Sequence, residues 1–278
     1  MKKLTIPDII NRKGGEKLTM LTAYDAAFAR LLDAVGIDMI LVGDSLGMVL
    51  LGYDSTVPVT MDEMIHHAKA VRRGTSAFLV GDMPFLSYQV GNEEAVRNAG
   101  RLFKEAGCDA VKLEGGPEVC DAVRAIVRAG MGVMGHIGLT PQTAGNLGGY
   151  KVQGKDAASA RKILADAKAL EEAGVFAIVM ECIPDRLAKV VTESVSVPTI
   201  GIGAGAACDG QVLVTHDLLG MFEKFVPRFV KSYVNLAPQI KEAVAAFKKD
   251  VEIGRFPDED HSFIMQVDVE TLVSDDEA

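Results

Sequence analysis

Four short aliphatic runs in this sequence each lead to a carboxylate. Met39-Ile40-Leu41-Val42 runs through Gly43 to Asp44, and Phe78-Leu79-Val80-Gly81 ends in Asp82. Ala110-Val111-Lys112-Leu113 ends in Glu114, and Phe176-Ala177-Ile178-Val179-Met180 ends in Glu181. Apolar runs of this length read as buried strands. An isolated buried carboxylate is costly and demands a cation or a dense set of hydrogen bonds. Four of them at four strand ends therefore read as one shared site. Side chains alternate along a strand. That rule puts Ile40, Val42 and Asp44 on one inward face, with polar Ser45 next.

Asp and Glu without paired histidines suit a hard cation, Mg²⁺ or Mn²⁺, rather than zinc. Asp44 and Asp82 form the best pair, with Glu114 as a third ligand, direct or through water. The competing reading has these acids capping helices or binding loop amides. Lys112 stands two residues before Glu114, so both face inward while Val111 and Leu113 face out. An inward lysine binds a carboxylate, forms a Schiff base with a ketone, or merely pairs with Glu114. The acid cluster favours carboxylate binding. Glu181 lies between Val179-Met180 and Cys182-Ile183-Pro184. An enclosed apolar position of that kind suits a general base. Its alternatives are a fourth metal ligand or a hydrogen-bonded buried acid. His136, on the same inward face as Met134, opens a long polar loop and reads as a hydrogen-bond donor to substrate or as structural. Cys182 reads as packing, His66 and His67 as ordinary helix residues, and His216 and His261 carry no signal.

These residues need a frame that brings strand ends together. Strand patterns recur about eight times between helical ones. Thr60 and Glu63 form a capping box that opens a helix stopped near Gly74. Asn92 opens one that Gly107 stops, and Pro117 starts another after a glycine turn. Asp156 to Ala173 and Pro184 to Ser194 are helical, as is Ala237 to Val251. Residues 5–13 read as a short N-terminal helix. The rhythm predicts a (β/α)8 TIM barrel over residues 1–265 with an acidic tail at 266–278, rather than an open doubly wound sheet. Phe263, Ile264 and Val267 are apolar enough to dock. The glycine run at 200–210 lacks the full dinucleotide-binding pattern. After a seventh barrel strand it reads as room for close backbone approach to a ligand.

The bulk numbers agree with a large globular domain. The chain has 278 residues, 49% apolar and 24% charged, with a net charge of −9. That acidity argues against nucleic acid as a partner. No apolar run reaches membrane-spanning length, and Pro7 and Asp8 interrupt any signal-peptide core. The four cysteines have no metal or disulfide spacing, so reduced thiols in cytoplasm are expected.

Taken together, GDSLGMVLLGYDSTVPVT at 43–60, GDMPF at 81–85, VKLEGG at 111–116, GHIGLTPQ at 135–142, GGYKVQG at 148–154, ECIP at 181–184 and IGIGAG with CDGQVLV at 200–214 resemble ketopantoate hydroxymethyltransferases. The resemblance runs from about Thr5 to Phe263. It implies a (β/α)8 barrel and transfer of a hydroxymethyl group from 5,10-methylenetetrahydrofolate to α-ketoisovalerate in pantothenate biosynthesis. By the same resemblance Asp44, Asp82 and Glu114 match magnesium positions, and Asp44, Ser45, Asp82 and Lys112 match ketoacid-binding positions. Glu181 matches the proton acceptor, and a homodecamer is implied. Two rival readings are another magnesium-dependent lyase or mutase acting on oxaloacetate-like acids, and a silent barrel that binds a ketoacid without turning it over.

Overall fold

The structure is a computed structural model that describes residues 3–224 and 226–266. The acidic tail, Val267 included, lies outside the described residues. Eight parallel strands close into a barrel in sequence order: β1 Leu18–Thr22, β2 Met39–Val42, β3 Phe78–Asp82, β4 Ala110–Glu114, β5 Gly132–Gly138, β6 Ala177–Glu181, β7 Thr199–Ile202 and β8 Gly210–Leu213. Strand β1 pairs with both β2 and β8, which closes the ring and rules out the open sheet. The fold is thus the (β/α)8 barrel that the alternating pattern predicts.

Ten α-helices connect or cover the strands: α1 Ile6–Ile10, α2 Ala26–Val35, α3 Leu46–Val49, α4 Met61–Arg72, α5 Asn92–Ala106, α6 Cys120–Arg128, α7 Ala157–Ala173, α8 Asp185–Ser194, α9 Thr215–Leu218 and α10 Leu236–Glu252 among the described residues. Local chemistry sets their ends. Thr60 caps α4 in a box with Glu63. Gly36, Gly107 and Gly174 end α2, α5 and α7 in the left-handed conformation. Pro117 opens a 3-10 turn, and α6 follows directly from it. The short α3 and α9 were not expected, because four-residue helices are too brief to show a period.

Two apolar layers separate cleanly. One fills the barrel, with Leu18, Met20, Met39, Leu41, Phe78, Val80, Ala110, Met134, Val179, Ile200 and Val212. The other lies between sheet and helices and includes Ile40, Val42, Leu79, Val111, Leu113, Ile178 and Met180. Strands β3, β4 and β6 therefore follow the predicted alternation, with Lys112, Glu114, Asp82 and Glu181 on the inward series. Strand β2 does not. Ile40 and Val42 face the helices, so Asp44 does not share their face. The inward position after Leu41 belongs to Gly43, where an added Cβ would lie 2.9 Å from Ser45 Oγ and 3.4 Å from Asp82 Oδ2. The strand ends at Val42, and the turn carries Asp44 inward instead.

Helix α1 closes the amino-terminal end of the barrel. Ile9 is buried there, and Ile6 sits where a Cβ on Gly132 would intrude at 2.4 Å. Asp209 ties this end together, accepting from Lys13 Nζ at 2.9 Å, Gly14 N at 2.9 Å and Thr199 N at 2.8 Å. The glycine run around it makes room for internal neighbours. A Cβ on Gly201 would meet Cys208, one on Gly203 would meet Phe229, and one on Gly205 would meet Asp185. At the other extreme α10 stands away from the barrel, exposing Ile240, Val244, Phe247 and Val251. Phe263 and Ile264 are exposed rather than docked.

Candidate active site

The carboxyl ends of the strands surround a cavity of about 380 Å³. Asp44, Ser45, Asp82, Lys112, Glu114, His136 and Glu181 all line it. Each comes from the end of a strand or the turn just after it, which is where barrels place their chemistry. Asp44 and Ser45 follow β2, Asp82 closes β3, Lys112 and Glu114 lie on β4, His136 on β5 and Glu181 on β6.

The charges are interleaved. Lys112 Nζ lies 3.1 Å from Asp82 Oδ1, and both side chains are buried. The alternative of a Lys112–Glu114 pair gives way to this one. His136 bridges two acids, with Nδ1 3.3 Å from Glu114 Oε1 and Nε2 3.2 Å from Glu181 Oε2. The Nε2 contact lacks the alignment of a hydrogen bond, so it is an ion-pair contact. His136 Nδ1 also lies 3.1 Å from Lys112 Nζ; one ring nitrogen cannot donate to Glu114 and accept from Lys112 at once. Burial and the Lys112 charge pull the imidazole down, but Glu114 and Glu181 outweigh them and push it up to about 9. We therefore assign the imidazolium, with Nδ1–H toward Glu114 and the ammonium turned to Asp82.

Two aspartates want a further positive charge. Burial, then the charges of Asp82 and Glu114, hold Asp44 well above the usual carboxylate range. Burial also raises Asp82, against the pull of Lys112. Glu114 is buried too, yet His136, Lys112 and the Gln142 amide keep it low. Lys112 is raised despite burial by Asp82, Glu114 and Asp44, so it is an ammonium and not a free amine. Asp82 Oδ1 is buried and accepts no aligned hydrogen bond among the described residues. The backbone N–H of Asp44 donates to Asp82 Oδ2 at 3.1 Å, which locks the two aspartates side by side.

This pair fits a hard divalent cation. Among the described residues no group of three or more His, Cys, Asp and Glu converges to cage an ion. Magnesium commonly takes only one or two carboxylates, with water and substrate oxygens completing its shell. Both Glu114 oxygens are engaged, Oε2 accepting from Gln142 N at 3.0 Å and Oε1 beside His136. Of the two roles anticipated for Glu114, the one through water fits this geometry better.

Glu181 is less enclosed than its sequence neighbours imply. Its side chain is 15% exposed, against 3% for the neighbouring His136. It faces the open cavity with an imidazole on one side, not an apolar pocket. Cys182 beside it has φ +49° and a thiol pushed up to about 12 by burial, so it is no nucleophile. His67 Nδ1 meets Tyr24 O at 2.8 Å and joins α4 to the loop after β1.

Several supporting residues escaped sequence reasoning. Gln142, in the loop after β5, donates to Asp44 Oδ2 at 2.8 Å and to Met83 O at 2.9 Å, while its Oε1 accepts from Tyr88 OH at 2.8 Å. It stands in the GHIGLTPQ stretch, but a loop has no periodicity to show which way a side chain points. Tyr24 OH and Ser45 Oγ share a 2.9 Å hydrogen bond. Asp217 lines the opposite wall from α9, and burial pushes its carboxyl up to about 6. His216 beside it packs against Tyr24 and Phe28, with ring centroids 5.4 and 5.6 Å apart.

Comparisons with known proteins place this geometry. The family model described as ketopantoate hydroxymethyltransferase matches residues 3–259. The chain is 60% identical over 278 residues to the 3-methyl-2-oxobutanoate hydroxymethyltransferase of Desulfotalea psychrophila, covering 100% of both chains. It is 58% identical over 254 residues to the enzyme of that name from Syntrophus aciditrophicus, covering 91% of this chain and 93% of the other. Among solved structures, phosphoenolpyruvate phosphomutase from Streptomyces platensis subsp. rosaceus superposes with a TM-score of 0.61 at 16% identity, over 99% of this chain and 96% of that one. A phosphonopyruvate hydrolase in complex with oxalate and Mg²⁺ gives 0.56 at 16% identity, over 98% and 96%. At such identities the structures show a shared barrel fold and nothing finer. The match of the family model, sustained by relatives of near-equal length, shows that this chain belongs to the ketopantoate hydroxymethyltransferase family.

Proposed function

We propose that the protein transfers a hydroxymethyl group from 5,10-methylenetetrahydrofolate to α-ketoisovalerate (3-methyl-2-oxobutanoate), giving ketopantoate for pantothenate and coenzyme A synthesis. The observation that carries this reading is the convergence of an aspartate pair, a buried ammonium and a cavity-facing glutamate in one cavity of a chain from this family.

Each residue has a task the geometry supports. Lys112, charged and fixed by Asp82 at 3.1 Å, attracts the ketoacid carboxylate, and Ser45 adds a hydrogen bond to it. Asp44 and Asp82 would hold Mg²⁺, with Glu114 acting through water. That ion, when bound, polarises the ketone and stabilises charge developing on its oxygen. Glu181 then removes the C3 proton. His136, 3.2 Å away, holds the base in place and lies near enough to support the new hydroxyl. The C3 carbanion attacks the one-carbon unit, both bonds from that carbon to the folate nitrogens break, water supplies the hydroxyl oxygen, and the C3 proton with one proton of that water goes to the two freed nitrogens. Gln142 fixes Asp44 and Glu114 relative to each other against their mutual repulsion, its backbone N–H donating to Glu114 and its side-chain amide to Asp44. A Schiff-base role for Lys112 is disfavoured, because an ammonium among three acids has no lone pair to offer.

Assembly and location belong to the same proposal. A homo-oligomer, a decamer in line with the family resemblance, would cover the apolar face of α10. Four free cysteines accord with the cytoplasm, and among the described residues no helix is long and apolar enough to cross a membrane. The test is direct. Protein with magnesium, α-ketoisovalerate and 5,10-methylenetetrahydrofolate should form ketopantoate, seen by mass spectrometry, and omission of the folate should stop it. Folded protein that makes no ketopantoate from the complete mixture would sink the proposal.

A further inference from the structure

The cavity has a second half that the mechanism above does not use. Its wall is built by β7, β8 and the chain that follows, with Ile202, Val212, Val214, Phe222, Pro227 and Phe229. This lining is apolar and partly aromatic, and it contains one acid, Asp217, only 8% exposed. Asp217 Oδ1 is buried, and no hydrogen-bond donor among the described residues reaches it. No lysine, arginine or histidine among the described residues forms an ion pair with it, in contrast to Asp82, which has Lys112 at 3.1 Å. Its raised pKa has burial as the sole cause, which agrees with a carboxyl left without a partner.

A buried acceptor facing a cavity is satisfied by whatever fills the cavity. The ketoacid cannot do this, because its own carboxylate is an anion and Lys112 draws it to the other half. What fits is a flat aromatic ligand with two adjacent N–H donors on one edge. We propose that Asp217 recognises the 2-amino-4-oxo edge of the folate pterin, its carboxylate accepting from N3–H and the 2-amino group while Phe222 and Phe229 flank the ring. This rests on folate being the one-carbon donor, as proposed above. The same contact orients the pterin so that its one-carbon unit faces the ketoacid, and it turns away the anionic glutamate end of the cofactor.

The experiment compares tetrahydrofolate with its 2-desamino analogue by calorimetric titration, using the full-length wild-type protein and D217N. Wild type should bind the analogue about 10- to 100-fold more weakly, the usual cost of deleting a hydrogen bond to a buried charge. D217N should bind both ligands with about equal, weakened affinity. Wild type that binds the two ligands equally would overturn the proposal without any variant having to fold. So would D217N that keeps the wild-type discrimination. Wild type that binds tetrahydrofolate not at all would remove the folate reading itself, and this inference with it.

Discussion

The two halves of the barrel mouth are built on opposite rules. From β2 to β6 the wall is crowded with charge, and nearly every acid has a protein partner: Lys112 for Asp82, His136 for Glu114 and Glu181, Gln142 for Asp44. From β7 round to β1 the wall is mostly apolar, and its one acid has none among the described residues. A network of paired charges is rigid even where it leaves an open acceptor such as Asp82 Oδ1, and it holds a geometry before any substrate arrives. An unsatisfied acceptor in an apolar wall gains only when a ligand comes. The contrast assigns chemistry to the first half and recognition to the second.

The sharpest way to break that division is E181Q. Loss of a positioned base costs about 10²- to 10⁴-fold in rate, so steady-state kcat should fall by that much while α-ketoisovalerate still binds. A variant turning over near the wild-type rate would move the base elsewhere. K112A attacks the same half through stability. It leaves Asp82 buried without its cation, and breaking a buried pair from one side costs about 3–5 kcal/mol. Urea unfolding should show a loss of that order, and an unchanged midpoint would mean the pair contributes little. Q142A should cost less, about 1–3 kcal/mol, since it removes one donor to Asp44 and another to Met83 O. Its effect on ketoacid binding should exceed that of Y88F, which removes a hydroxyl that touches Gln142 and the Glu114 backbone but neither aspartate.

The smallest effect belongs to the apolar half. Asp217 has a carboxyl raised by burial to about 6 in the folded protein. A raised acid stabilises the fold below its unfolded pKa, near 4, and that contribution is lost as pH rises through about 6. Relative to wild type, D217N should therefore gain in melting temperature as pH rises from about 4 to about 6 and then level off. A difference independent of pH would show that Asp217 finds a partner in solution.

Much of the charged half was legible in the sequence, and the reason is periodicity. On β3, β4 and β6 an inward series of alternating residues ends in Asp82, Glu114 and Glu181, so parity alone points each acid into the barrel. Asp44 reached the site against that parity. Gly43 occupies the inward step and leaves room for Asp82, and the turn supplies the direction that the strand does not. Gln142 and Tyr88 lie in loops, where spacing carries no orientation. Asp217 follows β8, one of three four-residue strands, and sits on a four-residue helix, where no period shows which way it points. The glycine run carries a signal of another kind. Glycine reports that something comes close but not what, and the neighbours the structure shows are Phe229 and Asp185.

Proton exchange at C3 of α-ketoisovalerate tests the enolising site most directly. Metal-stripped protein is incubated with the ketoacid in heavy water, without folate, and followed by NMR before and after magnesium is added. Exchange that starts only with magnesium, and is lost in E181Q, is the expected result. Exchange without metal, accompanied by borohydride trapping of the ketoacid on Lys112, would contradict it and make the barrel a Schiff-base enzyme.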